Sequence, residues 1–115
     1  MSVSEFEEFR EAVVKQWKKR RLPSFIRKRA LRYFDTYDNF NNEKWILAWM
    51  QFDNKVYAVD IWYSYKQNYL SIHITELPAP YEKLKNWPIY LVRAGKTVYD
   101  YDLYDSEVKE CDERG

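Results

Sequence analysis

Lys15, Lys18, Lys19, Arg20, Arg21, Arg27, Lys28, Arg29 and Arg32 fall in one stretch that holds no acidic residue, so residues 15–32 carry a charge of +9. Cations crowded on helical segments can pair with phosphodiester oxygens and release counterions, the main source of sequence-independent affinity for nucleic acid. Lys18, Lys19, Arg21, Lys28, Arg29 and Arg32 are the candidate phosphate contacts, to DNA or to RNA. The same charges could instead keep an aromatic-rich surface solvated, meet an acidic protein partner, or pair with the end of their own chain. There Asp100, Asp102, Asp105, Glu107, Glu110, Asp112 and Glu113 stand against Lys109 and Arg114, leaving residues 97–115 at −5. The overall charge of +1 and the pI of about 7.7 favour these quieter roles, because nucleic-acid domains usually lie above about 9.

Catalytic chemistry has less to work with. His73 is the sole histidine, and strand pairing puts it opposite Asp60 or one pair away. An aspartate beside a histidine can orient a general base, but no serine or cysteine nucleophile is set beside them by any motif. The expectation is a structural polar pair in a protein that is not an enzyme. One histidine with scattered carboxylates lacks metal-ligand spacing, Cys111 is the only cysteine, and two glycines cannot build a phosphate loop, so no cofactor is implied.

A second candidate site is aromatic. If residues 44–76 form strands, Trp45, Leu47, Trp49, Trp62 and Tyr69 share a face with Asp60, Ser71, His73 and Thr75. Such an apolar patch is seldom left bare. A loop of the same chain, a second copy or stacked bases could cover it, and the ribonucleoprotein consensus for base stacking is absent. A homodimer through this face is expected, since twofold contacts are the commonest oligomer symmetry and tryptophan and tyrosine are enriched in them.

The elements that position these residues follow from periodicity. Ser4 with Glu7 has capping-box spacing, and Phe6, Phe9, Val13 and Trp17 form one stripe, which predicts a helix from about Ser4 to Arg20. Leu22-Pro23 breaks it, and Pro23 suits the start of a second helix toward Tyr37, with Ile26, Ala30, Tyr33, Phe34 and Tyr37 on one face and Lys28, Arg29 and Arg32 on the other. Lys44–Phe52, Lys55–Tyr65 and Tyr69–Glu76 read as a meander turning at Asp53-Asn54 and Lys66-Gln67-Asn68. That register sets Met50 against Tyr57, Ala48 against Val59 and Ile46 against Ile61, with Leu70, Ile72 and Ile74 on the same face under the helices. Leu77-Pro78-Ala79-Pro80 ends the meander and Tyr81–Trp87 forms a short helical turn. Ile89–Ala94 and Thr97–Tyr104 read as a second hairpin about Gly95, and residues 105–115 as a loose acidic tail.

The 115 residues, 46% hydrophobic and 32% charged, suit one globular domain at residues 1–115. The fold expected is α+β, with an N-terminal helical hairpin on one face of an antiparallel sheet of about five strands. No apolar run reaches the roughly 18 residues of a membrane span, and the acidic, amphipathic start is unlike an export signal. A cytoplasmic location is the expectation. With 11 Tyr and two Gly, the composition resembles that of the small orphan proteins encoded by viruses of hyperthermophilic archaea. The resemblance is compositional and implies a heat-resistant protein of the host cytoplasm; no site residue follows from it. The functional expectation is a non-enzymatic binding protein acting on nucleic acid through the basic segment, or else a structural or interaction module that self-associates through the aromatic face.

Overall fold

The Ser4 hydroxyl accepts the Glu7 amide at 3.2 Å and caps the first helix, α1, at Glu5–Lys18. Glutamates open α1 and lysines close it, each favourable to the helix dipole. The computed structural model describes residues 4–38, 43–91 and 95–104. Arg20, at φ 59°, turns the chain through the left-handed region, and α2 follows at Leu22–Arg29 with Pro23 in its first turn, where the missing amide leaves no gap.

The second helix is shorter than its periodicity predicts. Ala30 is already extended, the Leu31 amide donates to the Trp49 carbonyl at 2.8 Å, and Arg32–Asp38 forms a strand, β1. Ile26 lies on the helix; Tyr33 and Phe34 lie on opposite faces of β1. The physical reason is the neighbouring strand β2, Glu43–Phe52. Its edge would otherwise leave backbone groups unpaired, and the adjacent aromatics Tyr33 and Phe34 serve the two faces of a strand as readily as one stripe of a helix.

Beyond β2 come β3 (Lys55–Ser64) and β4 (Tyr69–Glu76), and the two predicted turns hold. Asp53 and Asn54 sit at φ 50° and 67°, the two-residue turn whose twist matches a hairpin. The register is the expected one, pairing Met50 with Tyr57, Ala48 with Val59 and Ile46 with Ile61. Tyr65–Asn68 closes the next hairpin, with the Ser64 hydroxyl accepting the Gln67 amide at 3.1 Å, so Asp60 faces His73. A short helix, α3, covers Tyr81–Leu84. The last strand, β5 (Lys96–Tyr104), pairs with β4 through a bulge at Ile74/Thr75, completing a five-stranded antiparallel sheet in chain order. Residues 89–91 form no strand, so among the described residues the expected C-terminal hairpin is represented by β5, and the fifth strand of the sheet is β1. Residues 92–94 and the expected acidic tail at 105–115 lie outside the described residues.

The helices lie on the predicted face. Phe9, Val13 and Trp17 of α1 and Leu22 and Ile26 of α2 pack on Ile46, Ala48, Met50, Val59, Ile61, Leu70, Ile72 and Ile74. At one end of this layer Tyr33, Tyr63 and Tyr65 gather near Asp35, whose carboxylate pairs with Lys44 at 2.9 Å. Burial, with the Asp35 charge beside it, pushes the Tyr33 hydroxyl up to about 12, and burial raises Tyr63 further.

Two predictions follow from this packing. Asn54→Val should cost about 1–2 kcal/mol, because a β-branched residue resists positive φ, whereas Asn54→Gly should stay within about 0.5 kcal/mol; urea midpoints of the two variants make the comparison. The folded state prefers neutral Tyr33 and Tyr63, so their contribution to stability is present below pH 10 and is lost at higher pH, that of Tyr33 as pH rises through about 12. Absorbance at 295 nm should accordingly show tyrosines that ionise only as near-ultraviolet circular dichroism collapses.

Candidate functional site

Strand pairing arranges the outer sheet face, opposite the helices, in rows across the strands. Arg32, Trp49, Ala58 and Thr75 make one row; Phe34, Leu47, Asp60, His73 and Asp100 the next; then Thr36, Trp45, Trp62, Ser71 and Asp102; and finally Glu43, Ser64, Tyr69 and Tyr104. The chain itself covers one end of this grid. After β4, residues 77–89 run back over the sheet, so that Leu77, Leu84, Trp87 and Ile89 enclose Leu47, Trp49, Val56 and Ala58. Trp49 is 0% exposed, and its ring N–H donates to the Ile89 carbonyl at 2.9 Å.

The aromatic set expected from the sequence is therefore divided. Leu47 and Trp49 are sealed inside a second small core, while Trp45 and Tyr69 are partly exposed and Trp62 is 48% exposed. The surface open to a second copy is half the face, not all of it. Sequence reasoning placed all five residues on one face but omitted Phe34, 45% exposed and packed edge-on against Trp45, and Tyr104, which contacts Tyr69 at 4.6 Å. Phe34 escapes the sequence because residues up to Tyr37 fit a helical stripe; Tyr104 and the strand at Tyr69–Glu76 are both legible, but the register that sets Tyr104 against Tyr69 is not.

Carboxylates border the open half. Asp60 is half-buried and accepts a hydrogen bond from the Trp45 ring N–H; burial raises its pKa, and the Trp45 hydrogen bond and His73 oppose the rise. His73 meets the neighbouring strand instead of pairing tightly with Asp60. Its Nδ1 lies 3.8 Å from Asp100 and its Nε2 3.4 Å from the Thr97 hydroxyl. Asp102 accepts from the Tyr69 hydroxyl at 2.8 Å. Among the described residues no three His, Cys, Asp or Glu side chains gather as metal ligands would, and no helix is long and apolar enough to cross a membrane. Between Trp45 and Trp62 lies a notch of about 210 Å³, bounded also by Thr36, Glu43 and Lys44.

The cations lie on the other side of the molecule. Lys18, Lys19, Arg21, Lys28 and Arg29 are exposed on the helical layer, as are Lys15, Arg20 and Arg27. Several are steadied by aromatic rings. Arg20 lies over Tyr65 at 4.6 Å, Arg27 over Tyr33 at 4.8 Å and Arg29 over Phe25 at 4.3 Å. Arg27 also approaches Asp35 at 4.0 Å, and Arg29 borders a hollow shared with Glu5 and Glu8. Arg32 does not belong to this set. As a β1 residue it projects from the outer face, stacks over Trp49 at 4.8 Å and donates to the Trp87 carbonyl, tying the covering segment to the sheet. Comparison with protein-family models, with curated proteins and with solved structures finds no match to this chain.

The covering segment should behave as part of the core. Leu84→Ala should cost about 2–5 kcal/mol in chemical denaturation, as for any fully buried leucine, and should open Trp49 to acrylamide quenching. His73→Gln, which removes a half-exposed contact, should cost no more than about 1 kcal/mol in the same assay.

Proposed function

We propose that the protein is a non-enzymatic binding module whose helical layer grips the phosphate backbone of nucleic acid. The observation that carries this reading is the exposed run at the α1–α2 junction. Lys15, Lys18, Lys19, Arg20 and Arg21 converge there, with Lys28 exposed on α2. Among the described residues Lys19, Arg21 and Lys28 form no ion pair with a carboxylate. Arg20, resting over the Tyr65 ring, gives the cluster a guanidinium with a partner in place before any phosphate arrives, which lowers the ordering cost of binding. Contacts of this kind read charge and spacing, not base sequence.

Arg32 leaves the proposed contact set because its guanidinium is spent on Trp49 and Trp87, and Arg29 is secondary because of the glutamates near it. The remaining site is Lys18, Lys19, Arg21 and Lys28, with Lys15 and Arg20 beside them. The sheet face is a poorer candidate for nucleic acid, since Glu43, Asp60, Asp100 and Asp102 border its open half and oppose phosphates.

Fluorescence anisotropy with single- and double-stranded oligonucleotides tests the proposal. Four phosphate contacts predict a log–log salt slope of about −3 to −4. Lys19→Glu/Arg21→Glu/Lys28→Glu should weaken binding at least about a hundredfold at low salt, with the denaturation midpoint nearly unchanged because all three side chains are exposed. Wild-type affinity in that variant, or binding indifferent to salt, would sink the reading.

A further inference from the structure

The open half of the outer sheet face combines exposed aromatic rings with carboxylates. Its rings are Phe34, Trp45, Trp62, Tyr69 and Tyr104, and its acids are Glu43, Asp60, Asp100 and Asp102. Lys44 also borders the Trp45/Trp62 notch. The Lys44 amine goes to Asp35 beside the helices, and Arg32 is drawn over Trp49. Elsewhere the chain lays arginines on its own rings, with Arg10, Arg20, Arg27 and Arg29 over Tyr99, Tyr65, Tyr33 and Phe25. Among the described residues Trp45 and Trp62 have no such partner.

We propose that this half-face is a docking surface for a short, extended, arginine- or lysine-bearing segment of another protein, with one cationic side chain seated in the Trp45/Trp62 notch. Charge complementarity chooses the chemistry of the occupant. A cation over a tryptophan face is drawn by the ring quadrupole, and tryptophan is the best ring for it. The notch, about 210 Å³, has room for a side-chain head, and Glu43 and Lys44 stand at its rim, the Lys44 amine paired with Asp35. Asp60 fixes the Trp45 ring through its indole N–H and adds negative potential beneath it.

Size chooses the form of the occupant. Outward residues about 6.8 Å apart along a strand, and strands about 4.8 Å apart, give the three rows an outline of roughly 500 Å², within which Leu47 and Ser64 are buried. A stable interface between folded subunits takes about 800 Å² from each partner. A second copy set face to face would also bring these acids toward their own images. A peptide lying across the strands meets neither difficulty. From the notch on β2 and β3 to Asp100 and Asp102 on β5 is about 10–14 Å, the distance spanned by four residues of extended chain, so a second cation four positions away reaches the acidic edge.

The test uses the full chain and a synthetic peptide with arginine at its first and fifth positions, separated by glycine and serine. Tryptophan fluorescence and calorimetry at low salt should show saturable one-to-one binding. Replacing both arginines with citrulline, which keeps shape and removes charge, should weaken it at least about tenfold. Trp62→Ala and, separately, Asp100→Asn/Asp102→Asn should each weaken it several-fold. All three residues are exposed, and unchanged melting temperatures would confirm intact folds. The Lys19→Glu/Arg21→Glu/Lys28→Glu variant should bind the peptide at least as well as wild type, which separates this surface from the helical one. Equal binding of the citrulline peptide, or wild-type affinity in Trp62→Ala, overturns the proposal. So does sedimentation showing a dimer lost in Trp62→Ala, which would make a second copy the occupant, or oligonucleotide binding lost in that variant, which would make it stacked bases.

Discussion

One sheet has two faces, and the helical layer can bury only one of them. The structure is organised by that constraint. On the inner face, α1 and α2 set Phe9, Val13, Trp17, Leu22 and Ile26 against rows of isoleucine, valine and leucine, and the water released from those surfaces drives the fold. The outer face holds residues as large as Trp49 and Leu47, which water tolerates poorly, and residues 77–89 lie over half of it. What they leave open is the part where acids alternate with the rings.

This division sets the electrostatics. The cations of residues 15–32 ride mainly on the helical layer, and the carboxylates of β3 and β5 face the other way across the sheet. The near-zero net charge of the chain conceals a molecule with two dissimilar surfaces. Arg32 links them. It is the one member of the basic stretch that crosses to the outer face, where stacking on Trp49 and donating to the Trp87 carbonyl give it the role of a clasp.

Much of the architecture can be read from short-range pattern. The hairpin at Asp53-Asn54, the register of β2 on β3, the cap at Ser4 and the identity of the helix-covered face all depend on local turn chemistry and alternation, which few alternatives satisfy. The segment from Arg32 to Asp38 was not legible in this way, because seven residues with aromatics at i, i+1 and i+4 satisfy both a helical stripe and a pleat. The exposed edge of β2 decides between them, and an edge is a property of the assembled sheet.

The candidate sites divide along the same line. Residue type and spacing alone determined that the chain carries a basic helical surface and a tryptophan-lined sheet face, since charge runs and period-two alternation survive any tertiary arrangement. Only the tertiary structure decided that Leu47 and Trp49 are core while Trp45 and Trp62 are surface, that Asp60 serves the Trp45 ring while His73 leans toward Asp100, and that Arg32 leaves its neighbours. Each of those outcomes rests on contacts between segments far apart in the chain, above all the return of residues 77–91 over the sheet. The packing of one segment on another depends on shapes and buried areas that exist only once both are in place.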